Sequence, residues 1–273
     1  MVNEIIIKPS RRLAFSDIGE MWRFRELLYF FTWRDLKIRY KQTAIGILWA
    51  IFQPLMTMVV FSIFFGHFGK IPSDGIPYPI FVYVGLLIWQ FFSASLSAAS
   101  NSLAGNAGII TKVYFPRLLL PISSTITNLV DFMVASTVLV GIMIYYHYVP
   151  NFLGLLILPI LILLSFMISV GTGLILSSIN VKYRDIRYVL PFFIQMLLFV
   201  TPVIYPPSIA GKYAWILAIN PMTSVLEAAR AAILKTGHVP WGGLLYTAVA
   251  GVIILIFGIL SFKKIERSFA DII

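Results

Sequence analysis

The side chains most often used for catalysis are scarce in this chain of 273 residues. It contains no cysteine, which excludes thiolate catalysis, disulfides and cysteine-ligated metal sites. Its three histidines, His67, His147 and His238, do not have the paired spacing of a zinc site. The acidic residues are scattered singly, so no cluster predicts a metal-dependent transferase.

Nucleotide binding is the next chemistry to consider. A P-loop needs a glycine-rich turn followed by Gly-Lys and then Ser or Thr, so that its backbone can cradle phosphates. The nearest candidate, Gly105 to Lys112, ends in Ile-Ile-Thr-Lys and lacks that pattern. We therefore expect a chain that is not an enzyme and holds no cofactor. Any ATP and Mg²⁺ would be bound by a separate polypeptide.

Asp131 is the one acidic residue well inside a clear apolar run. A charge at the middle of a bilayer costs about 2.5–3.5 kcal/mol, so this side chain should face protein or water. Asn128 lies one helical turn away and could share a hydrogen bond with it. A polar contact between helices is the first expectation, contact with a cargo is the second, and a proton relay is the third.

Composition identifies the elements that position these side chains as membrane spans. Apolar residues make up 59% of the chain and charged residues 12%, and the mean hydropathy is +0.91. Soluble domains have about 45–50% apolar and about 25% charged residues, so a soluble globular enzyme is excluded. Five apolar runs reach the roughly 20 residues that cross the hydrocarbon layer. They lie at 44–66, 80–103, 118–146, 152–179 and 242–262.

A shorter run at 188–204 predicts a sixth span. The stretch after it, 205–241, is apolar but interrupted by prolines, which a single straight helix cannot contain. It predicts two short helices that enter the membrane from the outer side and return. Asn220 and Pro221 have the types expected at the cap and first position of the second helix.

This hairpin is expected to close the exit of a pore; the alternative is a lid that packs on the spans without gating. Glu227 and Arg230 lie three residues apart within it and can pair on one helical face. The predicted pore or gate residues are Asn128, Asp131, Tyr205, Asn220, Pro221, Glu227 and Arg230.

The basic charge is distributed unevenly along the chain, which has a net charge of +10. All but four of the 21 lysines and arginines lie on one side of the six predicted spans. The exceptions are Lys70, Lys212, Arg230 and Lys235. The positive-inside rule therefore places both termini in the cytoplasm, and nucleic acid is not needed to explain the charge.

The region before the first span predicts an amphipathic helix between Ser16 and Lys41. Aromatic and apolar residues recur at helical spacing, beside a neighbouring basic face. The aromatic face comprises Trp22, Tyr29, Trp33, Leu36 and Tyr40. Such a helix lies flat at the headgroup boundary or forms a docking surface for a cytoplasmic partner. The predicted organisation is a cytoplasmic arm over 1–42 and one six-span, all-α membrane domain over 43–273.

Several short motifs, taken in order, resemble a known family. They are Trp33 to Lys41, Gly46-Ile47-Leu48-Trp49, Gln53-Pro54, Lys112 to Arg117, Leu120-Pro121, Tyr183-Arg184-Asp185, Thr201 to Tyr205 and Asn220-Pro221-Met222. Each is weak alone. Their order and spacing over about residues 20–265 resemble the permease subunit of ABC-2 type exporters, in the branch that exports O-antigen, capsule and teichoic acid.

The resemblance implies a homodimer in the bacterial inner membrane, with a pore between the subunits. It also implies two copies of a separate ATPase on the cytoplasmic face, and a lipid-linked polysaccharide as cargo. O-antigen is the first expectation. Capsule or teichoic acid export, or export of a drug by the same architecture, are the alternatives. A membrane-embedded glycosyl- or phosphotransferase would be a different class, and the scattered acids disfavour it.

The resemblance also implies which residues meet the ATPase. The loop over 108–117 would carry a short helix, with Thr111, Lys112, Tyr114 and Phe115 exposed for contact. Two Arg-Asp pairs, Arg34-Asp35 and Arg184-Asp185, lie at predicted cytoplasmic surfaces. A role in coupling and a role as local ion pairs are equally consistent with their positions.

Overall fold

The computed structural model describes residues 16–41, 46–183 and 185–266, and within these ranges the chain is helical and contains no strand. This confirms the all-α prediction. The arm forms two helices, α1 (Ser16–Arg23) and α2 (Arg25–Lys41), which meet at Phe24. The N-terminal residues, the junction at 42–45, Arg184 and the C-terminal tail lie outside the described residues.

Five helices are long and apolar enough to cross a membrane. The first is α3 (Leu48–Phe61), which continues as a π-helix over Ser62–Phe68. The others are α4 (Tyr78–Gly105), α6 (Leu119–Tyr145), α7 (Leu158–Lys182, preceded by a 3₁₀ turn at Gly154–Ile157) and α11 (Trp241–Glu266). A short helix, α5 (Ala107–Ile110), lies between α4 and α6. The five predicted spans agree with these helices to within a few residues.

The predicted sixth span is only partly helical. Helix α8 covers Ile186–Val200, and its 15 residues are fewer than the roughly 20 that a span needs. The helix ends where Thr201 takes an extended conformation, because a residue before proline disfavours the helical region. The count of six spans therefore stays a prediction.

The broken stretch contains the two predicted short helices. After a 3₁₀ segment at Pro207–Tyr213, α9 spans Ala214–Ile219 and α10 spans Pro221–Leu234. The chain bends by 119° between them. Asn220 caps α10 as expected, since its side-chain oxygen accepts from the Met222 N–H at 3.0 Å. We call α9 and α10 the hairpin; whether it re-enters a membrane stays a prediction.

Helix α4 is the centre of the bundle, and its first half is buried almost throughout. It contacts α3, α6, α7, α8 and α10. Helix α7 packs against α11 at a close crossing, where a Cβ on Gly258 would lie 2.4 Å from the Gly171 carbonyl oxygen. The two ends of α4 carry different structures. We call the end beside α2 and α5 the arm end, and the end beside the hairpin the hairpin end.

Candidate functional site

The arm is attached to the bundle at the arm end by an aromatic contact. Phe31 of α2 is 2% exposed and packs on Phe115, with ring centroids 5.3 Å apart. Phe115 is itself 4% exposed, so the expectation that it is available to a partner is wrong. The arm covers it. Thr111, Lys112 and Tyr114 are exposed, as predicted, beside the short helix α5.

The first Arg-Asp pair forms a local ion pair and also joins two elements. The Arg34 guanidinium donates to Asp35 Oδ1 at 2.7 Å and to Asn106 Oδ1, beyond the end of α4, at 2.8 Å. The interpretation as a local ion pair is therefore confirmed for this pair, and the role in coupling stays a prediction. In the second pair Asp185 is exposed, whereas Arg184 lies outside the described residues.

Asp131 is the point at which the arm meets a long helix. One carboxylate oxygen accepts from the Arg39 guanidinium and the other from the Tyr40 hydroxyl. Arg39 also donates to Asn128 Oδ1 at 3.0 Å. The expected partnership of Asn128 with Asp131 is thus indirect, because Arg39 bridges the two side chains.

These contacts lie in a partly desolvated environment. The Arg39 and Asp131 side chains are 41% and 26% exposed. Burial, followed by the hydrogen bond to Asp131, raises the pKa of Tyr40 well above its ordinary value. The hydroxyl is therefore a permanent donor at physiological pH. We call Arg39, Tyr40, Asn128 and Asp131 the arm junction.

A polar cleft of about 380 Å³ opens beside the arm junction, between α2, α4 and α6. Seven of its ten lining residues have amide, hydroxyl or charged side chains, among them Asp35, Arg39, Asn101, Asn106 and Thr127, while apolar atoms make up most of the lining surface. The formal charges of this lining balance. A larger and mainly apolar groove of about 520 Å³ lies between α3 and α6.

The hairpin end is organised around Arg230, which is 3% exposed. The predicted ion pair with Glu227 does not form between these two described residues. The guanidinium instead donates to the carbonyl oxygens of Pro202 and Val203, the first at 2.7 Å, and to that of Tyr205 at 3.4 Å. Its Cζ lies 3.8 Å from the centre of the Phe81 ring. Backbone carbonyls and an aromatic ring are thus the partners of the guanidinium, in place of the predicted Glu227 carboxylate.

The neighbouring groups complete this arrangement. Tyr78 donates to the Ile204 carbonyl at 2.7 Å, and the Asn220 amide donates to Thr201 Oγ1 at 2.7 Å. The Tyr205 hydroxyl donates back to the Phe199 carbonyl near the end of α8, at 2.9 Å. Each residue from Thr201 to Tyr205 is therefore tied to α4, α8 or the hairpin. We call Thr201 to Tyr205 the extended segment.

Gly85 of α4 permits this packing. A Cβ at that position would lie 2.6 Å from Arg230 Nη2 and 2.6 Å from the Val203 carbonyl oxygen. The sequence did not predict a role for Gly85, Phe31 or Phe81. It also did not predict that Arg39 and Tyr40 contact Asp131. A basic residue at the end of an amphipathic helix, with an unpaired acid in a later span, is the signal that could have indicated the Arg39–Asp131 pair.

Within the part of the chain that the structure describes, the predicted site residues at the two ends do not contact each other. Arg34, Asp35, Asn128 and Asp131 lie at the arm end or along α6, whereas Tyr205, Asn220 and Arg230 lie at the hairpin end. Among the described residues no group of three or more His, Asp or Glu could hold a metal ion.

Comparison with known proteins gives a consistent result. Residues 26–234 match the model of the ABC-2 type transporter family. The chain is 29% identical over 249 residues to the O-antigen export system permease protein RfbA of Klebsiella pneumoniae, covering 91% of this chain and 95% of that protein. Identity to the protein of the same name in Myxococcus xanthus is 28% over 258 residues, with 93% and 98% covered. The polysialic acid transport protein KpsM of Escherichia coli is 25% identical over 244 residues, with 86% and 92% covered.

Proposed function

Because the chain belongs to the ABC-2 type transporter family, we propose that it forms the membrane path of an ATP-driven exporter of lipid-linked polysaccharide, with O-antigen as cargo. The observation that carries this proposal is the similarity to O-antigen export permeases over about nine-tenths of the chain. The long apolar helices agree with a multi-pass protein of the bacterial inner membrane. Basic residues concentrated in the arm support cytoplasmic termini.

A homodimer would cover two apolar surfaces that this single chain leaves open. In α3 and its π-helical continuation only Pro54 and Met58 are buried, and in α8 only Leu190 is buried. Large apolar side chains such as Phe192, Phe193 and Met196 are exposed on α8. Exposed apolar side chains on a membrane helix face either lipid or a second copy, and we propose that a second copy covers α3 and α8, with the pore between the two copies.

The absence of native cysteine makes this interface directly testable. A single cysteine at Phe193→Cys should form a cross-link between two copies in membranes under mild oxidation. Ile253→Cys, on the exposed face of α11, is the matched control and should remain monomeric. Equal cross-linking of the two variants would reject α8 as the interface.

The ATPase would bind at the arm end, where Thr111, Lys112 and Tyr114 are exposed and α2 is anchored through Phe31. Arg34, Asp35 and Asp185 would extend that surface. The expected contact of Arg184 remains a prediction outside the described residues. Two ATPase copies, each holding ATP and Mg²⁺, would act on the two arms of the homodimer.

The hairpin would close the pore on the outer side. Tyr205 ends the extended segment, Asn220 and Pro221 lie at the bend between α9 and α10, and the half-buried Glu227 lies one turn before Arg230. Arg230 itself is buried, so its role would be to hold the hairpin and not to contact the cargo. Asn128 and Asp131 would serve movement of the arm.

Export can be tested in a strain of the source bacterium that lacks this gene. Loss of polysaccharide from the surface of intact cells, with polymer accumulating inside, is the expected result, and the gene should restore export. Replacing the P-loop lysine of the partner ATPase should abolish that rescue. Export that persists without the ATPase would contradict the proposal.

The similarity to KpsM favours a second candidate, an acidic polymer of the polysialic acid kind. The sugar composition of the missing surface polymer decides between the two. Neutral sugars carried on lipopolysaccharide would support the O-antigen assignment. Sialic acid or another acidic sugar in a capsule would support the second.

A further inference from the structure

The arm junction attaches α2 to the middle of a long helix and not to its end. Asp131 lies twelve residues after Leu119, where α6 begins, and therefore about 18 Å along the helix axis. Helix α6 is itself about 40 Å long by the same measure. The last turn of the arm thus reaches nearly halfway along a helix that is long enough to span the membrane.

The junction is built so that every oxygen of the carboxylate faces the arm. One Asp131 oxygen accepts from the Arg39 guanidinium and the other accepts from the Tyr40 hydroxyl. Asn128 accepts from Arg39 and is oriented by its own donation to the Ser124 carbonyl at 3.0 Å. Two side chains of α6 therefore accept from one guanidinium, and two consecutive arm residues donate to one carboxylate.

Separating α2 from α6 would break both the Arg39–Asp131 ion pair and the Tyr40–Asp131 hydrogen bond. Such a separation is unfavourable, because it breaks charge-assisted hydrogen bonds of a carboxylate that is only 26% exposed. The arm is also held nearer the surface, through Arg34 to Asn106 and through Phe31 to Phe115. A displacement of the arm would therefore carry α6 with it.

We infer that Asp131 is a positioning residue, which joins α2 to α6 so that movement of the arm by the ATPase is transmitted to the transport path. This inference rests on the proposed function, since it needs an ATPase that acts on the arm. Asp131 touches neither nucleotide nor cargo in this role. It determines how much export each hydrolysed ATP produces.

The test is the ratio of polymer exported to ATP hydrolysed by the complete complex of this chain with its ATPase, in membrane vesicles that contain the lipid-linked polymer of the host. Asp131→Asn and Arg39→Gln should each lower this ratio at least tenfold, while complex abundance and ATP hydrolysis stay within twofold. Asp131→Glu should recover most of the ratio, because it keeps the charge. The exchanged pair, Arg39→Asp with Asp131→Arg, should recover part of it.

Lys37→Gln is the matched control, since it removes an exposed cation from the same helix, and it should leave the ratio unchanged. An unchanged ratio in Asp131→Asn would overturn the inference. Equal loss of ATP hydrolysis, export and complex abundance would also overturn it, because that outcome describes a purely structural anchor. Failure of the unmodified complex to export any polymer would instead reject the proposed function.

Discussion

The two ends of α4 accommodate an arginine in opposite ways, one buried and one exposed. At the hairpin end Arg230 is 3% exposed and is held by backbone carbonyls and an aromatic ring. At the arm end the Arg39 side chain is 41% exposed and pairs with the Asp131 carboxylate. The first cation is part of the core, and the second fastens one helix to another.

The reason for the difference is the local backbone. The extended segment has carbonyl groups that no helix or strand partner can satisfy, and buried carbonyls need donors. A guanidinium offers five N–H donors in a fixed plane, so Arg230 can serve three carbonyls while Tyr78 serves a fourth. At the arm end both helices satisfy their own backbone, and the side chains are free to pair with each other.

This contrast indicates a rigid hairpin end and an arm end that is attached through side chains alone. A gate that is built around Arg230 would have to move as one body with the extended segment. The arm, by comparison, transmits force through a few polar contacts. Substitutions at the hairpin end should therefore affect stability most, and those at the arm junction should affect coupling more than stability.

Arg230→Ala should have the largest effect on stability. It leaves at least two buried carbonyls without donors and removes the side chain that packs on Phe81, so we expect a loss of about 3 kcal/mol or more. Thermal unfolding of the purified protein in detergent measures this loss. Arg187→Ala, at an exposed arginine of α8, is the control and should unfold like the wild type. Similar midpoints for both variants would remove the distinction between the two ends.

Gly85→Ala tests the same region without removing any polar group. The new methyl would lie 2.6 Å from the Arg230 guanidinium and from the Val203 carbonyl oxygen, and both would have to shift. We expect a cost of about 2 kcal/mol, as for other overpacked cores. Gly105→Ala, in the last position of the same helix, meets nothing within 4 Å and should be tolerated. A neutral Gly85→Ala would show that the hairpin end is more adaptable than its packing indicates.

Asn220→Ala separates the cap of α10 from the arginine contacts. The change removes the cap bond from the Met222 N–H and the bond to Thr201 that joins the hairpin to the extended segment. Loss of a helix cap costs about 1 kcal/mol, so a smaller fall in the unfolding midpoint is expected than for Gly85→Ala. Asn220→Asp retains the cap acceptor and should recover most of the loss. If it does not, the Thr201 contact matters more than the cap.

The elements of the fold were largely predictable because their signals are local. Each long apolar run determines one helix, and the Asn220-Pro221 pair marks the start of α10 through its own chemistry. The length of α8 was overestimated, because Pro202 follows an apolar run but does not permit the helix to continue. Local signals thus identify helices well and their ends less well.

The pairings between elements were harder to predict, since they depend on residues far apart in sequence. Glu227 was the nearest acid to Arg230, but carbonyls some 25 residues earlier hold the guanidinium. Phe115 belongs to a motif that implied an exposed loop, yet Phe31 covers it. Asp131 makes the expected polar contact between helices, but its partners come from the arm, which was expected either to lie flat at the membrane surface or to dock a cytoplasmic partner.

Tyr40→Phe should have the smallest effect on stability and tests the arm end directly. It removes one donor to Asp131 while Arg39 remains, and the site is partly exposed, so we expect a loss of only about 0.5 kcal/mol. Burial raises the pKa of Tyr40, so the neutral hydroxyl is the form that the folded protein stabilises. Its contribution is complete below the ordinary tyrosine pKa of about 10 and is lost as the pH rises through the raised value. The difference in unfolding midpoint between wild type and Tyr40→Phe should therefore stay constant from about pH 6 to about pH 9. A loss as large as that of Arg230→Ala would mean that the arm belongs to the same rigid core as the hairpin.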